Sequence, residues 1–288
     1  DLGSLASVRS FVQAFAEKHD RLDALVNNAG VMNTPEGKTV DGFETQFGVN
    51  HLGHFLLTEL LLDTLKKSVP SRIVSVASAA HAGMSGKAAE LHLDDLDFER
   101  RGYDPTLSYN QSKLAMVIYA RHLAGRLEGT GVSAFSVHPG WVRSSLIKHT
   151  MPTWVQNWVM RPFGGLMGLM GPEEGAQTQL HCLLDDDAPK HSGEYFSQNS
   201  MFYADKKDKK DGWPMRSPNP LVYDDALAGR LFGVSTELVG LAHATRREHV
   251  GVLVLVLVHR AVAVLVHLVT GVQRVGVDVG VGVPAGLM

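Results

Sequence analysis

Cysteines, excess basic residues and long apolar runs are all scarce in this 288-residue chain. The single cysteine, Cys182, excludes an internal disulfide, fits a reducing compartment, and is expected to be a buried structural thiol rather than a nucleophile. No Cys/His cluster has the spacing of a zinc site. A net charge of -3 without a basic aromatic stripe does not favour nucleic-acid binding. The longest apolar run, residues 250–258, is well short of the ~20 residues of a membrane-spanning helix.

Short apolar runs alternate along the chain with helix-like segments. The strand-like runs are residues 22–26, 72–77, 132–137 and 193–197, and the helical patterns cover residues 5–19, 41–67, 107–127 and 173–184. Pro172 occupies a position that is favoured in the first turn of a helix. Because continuous apolar strands alternating with helices are typical of parallel sheets covered on both faces, we predict an α/β fold.

Polar turns follow three of the predicted strands. They are residues 27–30 (Asn-Asn-Ala-Gly), 77–79 (Ala-Ser-Ala) and 138–140 (His-Pro-Gly). In parallel α/β sheets, ligands bind in the crevice outside the carboxyl ends of the strands. The three turns therefore predict one shared site at this edge of the sheet.

Tyr109 and Lys113 lie four residues apart in the helical segment 107–127, between the second and third predicted strands. At this spacing both side chains share one helix face. A phenol has an ordinary pKa of about 10, and an adjacent ammonium is expected to lower that pKa by favouring the phenolate. The pair is a candidate acid/base device for a substrate oxygen. The same spacing is also common in partly exposed surface pairs, so the interpretation depends on neighbouring motifs.

Two further segments have unusual composition. Residues 141–170 carry three tryptophans and four methionines with few charges, which fits either packing under a surface loop or a mobile apolar lid over a bulky substrate. Residues 242–288 form a Val/Gly-rich, low-complexity tail. This tail is open to three interpretations: an extra strand element, a membrane-interacting segment, or sequence that is not natural coding, of which we favour the last. We predict that it lies outside the domain.

Together these motifs resemble the short-chain dehydrogenase/reductase family, and the residues around them are similar to those of its retinol dehydrogenase-like branch. The resemblance covers residues 1–241. It is carried by Asn27-Asn28-Ala29-Gly30, by Asn50, by Ser78 after the second strand, by Tyr109 with Lys113, and by residues 139–144 (Pro-Gly-Trp-Val-Arg-Ser). The implied fold is a Rossmann-like, doubly wound parallel sheet, and the implied reaction is hydride transfer between NADP or NAD and a substrate carbon.

The resemblance also implies a role for each matching residue. Tyr109 exchanges a proton with the substrate oxygen, Ser78 hydrogen-bonds that oxygen, Lys113 lowers the pKa of Tyr109 and binds the nicotinamide ribose, and Asn50 holds a water that links Lys113 to solvent. The implied cofactor-binding residues are Asp1, Asn28, Ala29, Gly30, Tyr109, Lys113, Pro139, Gly140, Val142 and Ser144. Among them, Asp1 corresponds to an acidic residue near the adenine, and Val142 and Ser144 to contacts of the carboxamide.

The chain departs from the family pattern at its start. The glycine-rich turn that binds the pyrophosphate in this family would precede the residue that matches Asp1. We therefore expect an N-terminally truncated domain over residues 1–241 that lacks its first βα units, binds nicotinamide cofactor poorly and has little activity. We expect a restored N-terminal segment to give an active enzyme.

The sequence leads to two candidate functions. The first is an oxidoreductase for a bulky apolar alcohol or carbonyl of the retinoid, steroid or lipid aldehyde class. The alternative is a non-catalytic truncated product or a scaffold that cannot bind cofactor. By analogy with relatives, the long helices that contain Asn50 and Tyr109 are a possible homodimer contact. The expected location is cytoplasmic, or membrane-associated facing a reducing compartment.

Overall fold

The computed structural model describes residues 1–142, 170–197 and 216–241. Its six strands are β1 (Ala24–Asn27), β2 (Ser71–Val76), β3 (Gly83–Met84), β4 (Lys87–Ala88), β5 (Val132–His138) and β6 (Tyr195–Ser197). Four of them form one parallel sheet in the order β1-β2-β5-β6, while β3 and β4 form a small antiparallel pair. The parallel sheet confirms the predicted α/β fold, and its central strands are apolar and almost completely buried.

The described helices cover the sheet. They are α1 (Leu5–Ala16), α2 (Thr45–Phe47), α3 (Gly53–Lys67), α4 (Pro105–Arg126), α5 (Pro172–Gly175), α6 (Gln177–Leu184) and α7 (Asp225–Leu238), with 3₁₀ turns at Ala79–Ala82, Ala188–His191 and Pro220–Tyr223. Sequence reasoning missed α7, the 3₁₀ turns and the β3-β4 pair. It predicted the four principal strands and the other helical regions to within a few residues at most of their ends.

The predicted helix over residues 41–67 begins four residues later than expected, because two acidic side chains cap different helices. The Glu44 carboxylate accepts hydrogen bonds from the backbone N–H groups of Gln46 at 2.9 Å and Phe47 at 2.6 Å, which starts α2. Asp41 instead accepts a hydrogen bond from the backbone N–H of Leu5 at 2.8 Å. It therefore serves the amino end of α1, which is distant in sequence.

A π-helical turn, Gly48–Leu52, joins α2 to α3 and contains Asn50. In this turn the Gly53 N–H donates to the Gly48 carbonyl, one residue further back than in an α-helix. Such single-turn π-bulges are frequent at functional sites. The bulge changes the direction in which Asn50 and its neighbours project from the helix.

Helix α4 begins at Pro105 because Asp104 caps it. The Asp104 carboxylate accepts hydrogen bonds from the N–H groups of Thr106 and Leu107, both at 2.9 Å. Every side chain between Ser108 and Ala120 is buried, so the helix is covered on all sides rather than on one stripe. Tyr109 and Lys113 therefore lie in the interior, which excludes the surface-pair interpretation.

The core has one apolar cluster on each side of the sheet. The larger cluster packs α1, α3, α4 and α7 on one face and includes Phe55, Ile73 and Leu114. The smaller cluster on the other face includes Phe135, Cys182 and Phe196. Cys182 is fully buried and burial raises the pKa of its thiol, which confirms the prediction of a structural cysteine.

Several sequence predictions concern residues outside the described ranges. These are the role of Ser144, the tail 242–288, and all of the aromatic segment 141–170 except Trp141, Val142 and Met170. Among the described helices, none is long and apolar enough to cross a membrane.

Candidate active site

The side chains of Asn50 and Lys113 converge on the turn that follows β1. A methyl group added at Gly30 would lie 3.0 Å from Asn50 Oδ1 and 3.6 Å from Lys113 Nζ. The absence of a side chain at Gly30 thus lets the backbone approach both groups closely. Since these residues come from β1, the π-turn and α4, the tertiary fold brings together three parts of the predicted site.

Ser78 and Tyr109 form the second half of the cluster. Ser78 follows β2 and caps the 3₁₀ turn, where its Oγ accepts a hydrogen bond from the Ala80 N–H at 3.2 Å. Tyr109 is 2% exposed, and the Ser78 side chain lies near enough to its phenol to oppose part of the rise in its pKa. The two hydroxyls therefore present adjacent donor and acceptor groups at the carboxyl edge of the sheet.

Lys113 contributes the ammonium group beside this pair. Its Nζ donates to the Val76 carbonyl at 2.9 Å, contacts Met116 Sδ at 3.5 Å, and lies 5.8 Å from the centroid of the Tyr109 ring. An ammonium carries three N–H donors, so these two contacts leave one for a further acceptor. Burial lowers the pKa of Lys113 to about 7.

The expectation that Lys113 depresses the pKa of Tyr109 is not met. Burial raises the pKa of Tyr109 to about 12, and the nearby Ser78 side chain only partly opposes this shift. Desolvation dominates because it disfavours the phenolate, and the same desolvation favours a neutral Lys113 amine. In this geometry Tyr109 is held as the protonated phenol, which is the form that donates a proton.

The Asn50 side chain is bound on both of its polar atoms. Its Nδ2 donates to the Val31 carbonyl and to Ser112 Oγ, and its Oδ1 accepts from the Val31 N–H, all at 2.9 Å. Ser112 Oγ in turn donates to the Tyr109 carbonyl at 2.8 Å. The side chain therefore joins the loop after β1 to α4, and the main-chain carbonyl of Asn50 accepts from His54 Nδ1 at 2.9 Å.

The Asn-Asn-Ala-Gly turn divides into a structural and an exposed half. Asn27 is buried, and its Nδ2 donates to Thr58 Oγ1 at 2.9 Å, which ties β1 to α3. Asn28 is exposed, while Ala29 and Gly30 are partly buried at the edge of the sheet. The turn thus holds the sheet together and also presents backbone to the shared edge.

The third polar turn is set by glycines. Gly140 is buried with φ of 96°, a backbone conformation that side chains rarely adopt, and it follows Pro139. Val142 then forms a parallel bridge with Met170 and packs directly on Gly175, where no side chain would fit. Helix α5 therefore fixes the position of Val142.

Asp1 is the most remote of the predicted cofactor contacts. It is exposed, and its carboxylate accepts a hydrogen bond from the Gly3 N–H at 2.8 Å while its amino group donates to Ser7 Oγ at 2.9 Å. None of the described contacts joins it to the cluster around Tyr109. Its geometry is that of a local turn at the entrance to α1.

Sequence reasoning missed three residues that support the cluster. Ser112 bonds Asn50, His54 bonds the Asn50 carbonyl, and His81 bonds the Ser78 carbonyl. Ser112 adjoins Lys113 in the chain, and each histidine follows a motif residue by three or four positions. This spacing of three or four residues places each histidine next to its motif residue on a helical turn, and could have identified both histidines from the sequence.

The donor set suits the ribose and nicotinamide end of a dinucleotide. The remaining N–H of Lys113, the Tyr109 and Ser78 hydroxyls and the open backbone at Gly30 all lie outside the carboxyl ends of β1 and β2. Ribose hydroxyls and a carboxamide require neutral and charged donors of this kind. The described residues therefore fit this part of the cofactor.

A large groove of about 1070 Å³ lies elsewhere in the molecule. It is lined by Gly131 and Gly193, which precede β5 and β6, and by Arg121 and Tyr223. The groove is thus at the amino ends of the strands, opposite the polar turns. The position of the polar residues, rather than groove size, identifies the candidate site.

The chain is similar in sequence to known proteins. The family model described as short chain dehydrogenase matches residues 1–89. Human retinol dehydrogenase 13 is 40% identical over 250 residues, which make up 86% of this chain and 70% of that protein. Human retinol dehydrogenase 12 is 43% identical over 241 residues, or 84% of this chain and 68% of that protein.

A solved structure has the same architecture. The crystal structure of an uncharacterised protein from Mycobacterium paratuberculosis superposes with a TM-score of 0.59 at 30% identity, and the match covers 83% of this chain and 74% of that one. The identities to the two human proteins extend over more than two thirds of their length. This chain therefore belongs to the short-chain dehydrogenase/reductase family of NAD(P)-dependent oxidoreductases, in its retinol dehydrogenase-like branch.

Proposed function

We propose that this protein transfers a hydride between NAD(P) and a bulky apolar alcohol or carbonyl. The observation that carries the proposal is that Ser78, Tyr109 and the buried Lys113 amine lie together, with Lys113 Nζ 5.8 Å from the centroid of the Tyr109 ring. These groups supply a proton donor, a second hydroxyl for the substrate oxygen and an amine that carries a positive charge when it is protonated. This combination suits a carbonyl oxygen that gains negative charge in the transition state.

Tyr109 exchanges the proton in this proposal. A pKa of about 12 keeps the phenol protonated at neutral pH, so Tyr109 can donate its proton to the carbonyl oxygen in reduction, whereas in oxidation its phenolate would accept the proton of the alcohol. Ser78 orients the substrate oxygen by hydrogen-bonding it next to the phenol. A bound nicotinamide supplies or accepts the hydride, which is chemistry that protein side chains do not provide.

Lys113 and Asn50 support the proton transfer. Lys113, with a pKa of about 7, changes protonation state close to neutral pH and holds the ribose through its remaining N–H. Both polar atoms of the Asn50 side chain are bonded to protein. The water that links Lys113 to solvent is therefore proposed to bind the main-chain carbonyl of Asn50 instead. A carbonyl has two lone pairs, and His54 takes one of them.

The remaining cofactor contacts follow the carboxyl edge of the sheet. Asn28, Ala29 and Gly30 would line the adenosine side, and Asp1 would meet the adenine. Pro139, Gly140, Val142 and Ser144 would hold the nicotinamide end, of which Ser144 lies outside the described residues. Gly30 supports this assignment because it lets the backbone approach Asn50 and Lys113 closely, and Gly140 does so because its φ of 96° is one that residues with a side chain rarely adopt.

The proposed substrate class is a retinoid, a steroid or a lipid aldehyde. Its support is the similarity to two proteins named retinol dehydrogenases, since retinol is an apolar alcohol. The aromatic and methionine-rich composition of residues 141–170 favours the same class, because methionine adapts to apolar ligands of varied shape.

The test replaces Tyr109 by phenylalanine both in the full chain and in a version that carries the family's glycine-rich turn ahead of Asp1, and kinetics are read in whichever version reduces retinal. The expected result is a loss of kcat for retinal reduction by roughly a hundred- to ten-thousand-fold, because the proton donor is removed. The measurement is NADPH consumption with retinal, a steroid ketone and a long-chain aldehyde in parallel. Cofactor binding, followed by its fluorescence, is expected to be retained.

Tyr119→Phe is the matched control. Tyr119 lies on the same helix, is 4% exposed and donates its hydroxyl proton to Glu59 Oε1 at 2.8 Å. Its replacement also removes a buried hydroxyl but is expected to leave kcat unchanged. Full activity of Tyr109→Phe would refute the assigned role. If the unaltered chain neither bound cofactor nor reduced any of the three carbonyls, the alternative of a non-catalytic product or scaffold would replace this proposal.

A further inference from the structure

His81 lies one turn beyond Ser78 and is fully buried. Its Nδ1 is 2.6 Å from the Ser78 carbonyl oxygen, and its backbone N–H donates to the same oxygen at 3.1 Å. The imidazole ring packs against Tyr195 with ring centroids 4.5 Å apart. The carbonyl of the proposed substrate-binding serine is therefore held twice by one residue.

The second ring nitrogen of His81 reaches a distant part of the chain. Its Nε2 is 2.8 Å from Ser217 Oγ, across 136 residues of sequence. A carbonyl can only accept, so Nδ1 carries the ring proton in the neutral imidazole and Nε2 accepts from the Ser217 hydroxyl. Burial lowers the pKa of His81, which is consistent with this neutral form.

A second set of hydrogen bonds joins residues 217–219 to the turn that follows Ser78. Asn219 Nδ2 donates to the His81 carbonyl at 2.8 Å and to the Ala89 carbonyl at 3.1 Å. The Ser217 N–H donates to the Tyr223 hydroxyl at 2.7 Å, which fixes the segment to the turn before α7. Both Ser217 and Asn219 are buried. Residues 217–219 are thus docked on the Ser78 turn by side-chain bonds from both partners.

We infer that His81 is a positioning residue that couples Ser78 to the docked segment 217–219. The Ser78 hydroxyl meets Tyr109 in the correct orientation only while His81 holds the Ser78 carbonyl and Ser217 holds His81. The segment therefore acts on the chemistry without touching the substrate. The catalytic part of this inference rests on the proposed function, whereas the mechanical coupling does not.

The coupling is tested first without any assay of activity. Ser217→Ala removes the hydroxyl that donates to His81 Nε2 and that accepts from the Asn219 N–H at 3.2 Å. The Ala80 amide donates to Ser78 Oγ, and the His81 amide donates to the Ser78 carbonyl. Both amides are expected to exchange with solvent about tenfold faster in the variant, which is the effect of losing the net stabilisation of one hydrogen bond. Hydrogen exchange of the full chain, read by mass spectrometry over residues 78–82, measures this change.

Ser10→Ala is the matched control for that measurement. Ser10 is exposed on α1, and its loss is expected to leave exchange over residues 78–82 unchanged. Unchanged exchange in Ser217→Ala as well would overturn the inference. This outcome is independent of whether the protein reduces carbonyls.

Catalytic positioning is tested with His81→Phe and His81→Asn. The phenylalanine keeps the ring but removes both polar atoms, and is expected to lower kcat by about ten- to a hundredfold with the KM for cofactor unchanged. The asparagine restores a donor near the Nδ1 position and is expected to recover most of the lost kcat. A folded His81→Phe protein with kcat within about twofold of the parent would overturn the inference, with folding checked by circular dichroism.

His92→Phe is the control for these variants, because the His92 side chain is partly exposed and its Nε2 bonds the nearby Glu90 carboxylate at 2.8 Å. If the parent chain itself shows no carbonyl reduction, the proposed function fails while the exchange experiment still decides the coupling. If His81→Phe does not fold, Ser217→Ala replaces it in the kinetic assay, and an unchanged kcat there counts against the inference.

Discussion

Lys113 is a buried amine whose pKa is governed by its surroundings. The Val76 carbonyl accepts one of its N–H groups at 2.9 Å, and burial lowers its pKa to about 7. Spacing alone suggested that this charge would acidify Tyr109, but desolvation of the phenol is the larger effect. Tyr109 therefore remains protonated at neutral pH and is available to donate its proton to a substrate oxygen.

Two buried histidines on the same helical segment predict sensitivity to acid. Burial lowers the pKa of His51 to about 3 and that of His54 to about 4. Below pH about 6.5, the ordinary value, the unfolded chain binds protons that the folded chain excludes. The free energy of unfolding should therefore fall with decreasing pH, from about 6.5 down to these lowered values, by about 1.4 kcal/mol per pH unit for each histidine.

His51→Gln tests this linkage. The amide can keep the hydrogen bond that His51 Nε2 makes with Ser235 Oγ at 2.8 Å, but it does not titrate. Urea denaturation at a series of pH values should show an acid slope that is smaller by about one proton in the variant. Ser10→Ala, at an exposed site on α1 that does not titrate, should keep the parental slope. Equal slopes in the parent and in His51→Gln would contradict the prediction.

At the scale of elements, caps and glycines decide where helices begin and how closely they pack. Glu44 and Asp104 start the two helical segments that contain Asn50 and Tyr109. Gly53, at the first position of α3, lies against the backbone of Leu2, so that an added methyl group would overlap the Leu2 carbonyl oxygen and lie 3.0 Å from Leu2 Cβ. The segment before α1 is thereby packed onto α3.

Gly53→Ala is expected to destabilise the protein by about 1–3 kcal/mol, because a backbone carbonyl must move to admit the methyl group. Gly125→Ala in α4 is the matched control, since a methyl group there meets open space. It should stabilise the helix by roughly 0.5–1 kcal/mol, as expected for alanine in place of glycine. Chemical denaturation measures both changes. Parental stability in Gly53→Ala would show that Leu2 is not packed on α3.

At the scale of the whole molecule, α7 closes the described domain. Phe232 packs on Phe55 of α3 and on His122 of α4, with ring centroids 5.6 and 5.3 Å apart. Arg9 of α1 donates to the carbonyl of Val239, just after α7, at 2.6 Å. The helices that contain or follow Asn50 and Tyr109 are thus covered within one chain, leaving little exposed surface for the dimer contact expected by analogy.

A chain that ends at Leu241 is accordingly predicted to fold and to be monomeric. The Leu241 N–H donates to the Thr236 carbonyl at 2.9 Å, and helices α1, α3, α4 and α7 share one apolar cluster. Light scattering with size-exclusion chromatography measures the mass, and thermal denaturation measures the stability against the full chain.

A lower unfolding midpoint in the shortened chain would show that residues 242–288 belong to the domain, contrary to the boundary proposed from composition. A dimer of the shortened chain would contradict the argument from α7. A dimer of the full chain alone would assign the contact to the later residues.

Local sequence was sufficient to predict the parallel sheet, its four principal strands and the polar turns at their carboxyl ends. These features depend on periodicity and on residue types that favour strands, helices or turns over a few positions. The order of Asn50, Ser78, Tyr109 and Lys113 likewise identified the family before any contact was known.

Tertiary structure alone decided how those residues behave. The pKa of Tyr109 is raised by the groups that bury it. Contacts between parts of the chain that are far apart in sequence set the backbone partners of Asn50, the bond from His81 to Ser217 and the docking of α7. Desolvation and non-local hydrogen bonds depend on which groups surround a side chain after folding, and local pattern carries no measure of that environment. The sequence therefore determined which chemical groups are present, and the fold determined their protonation and orientation.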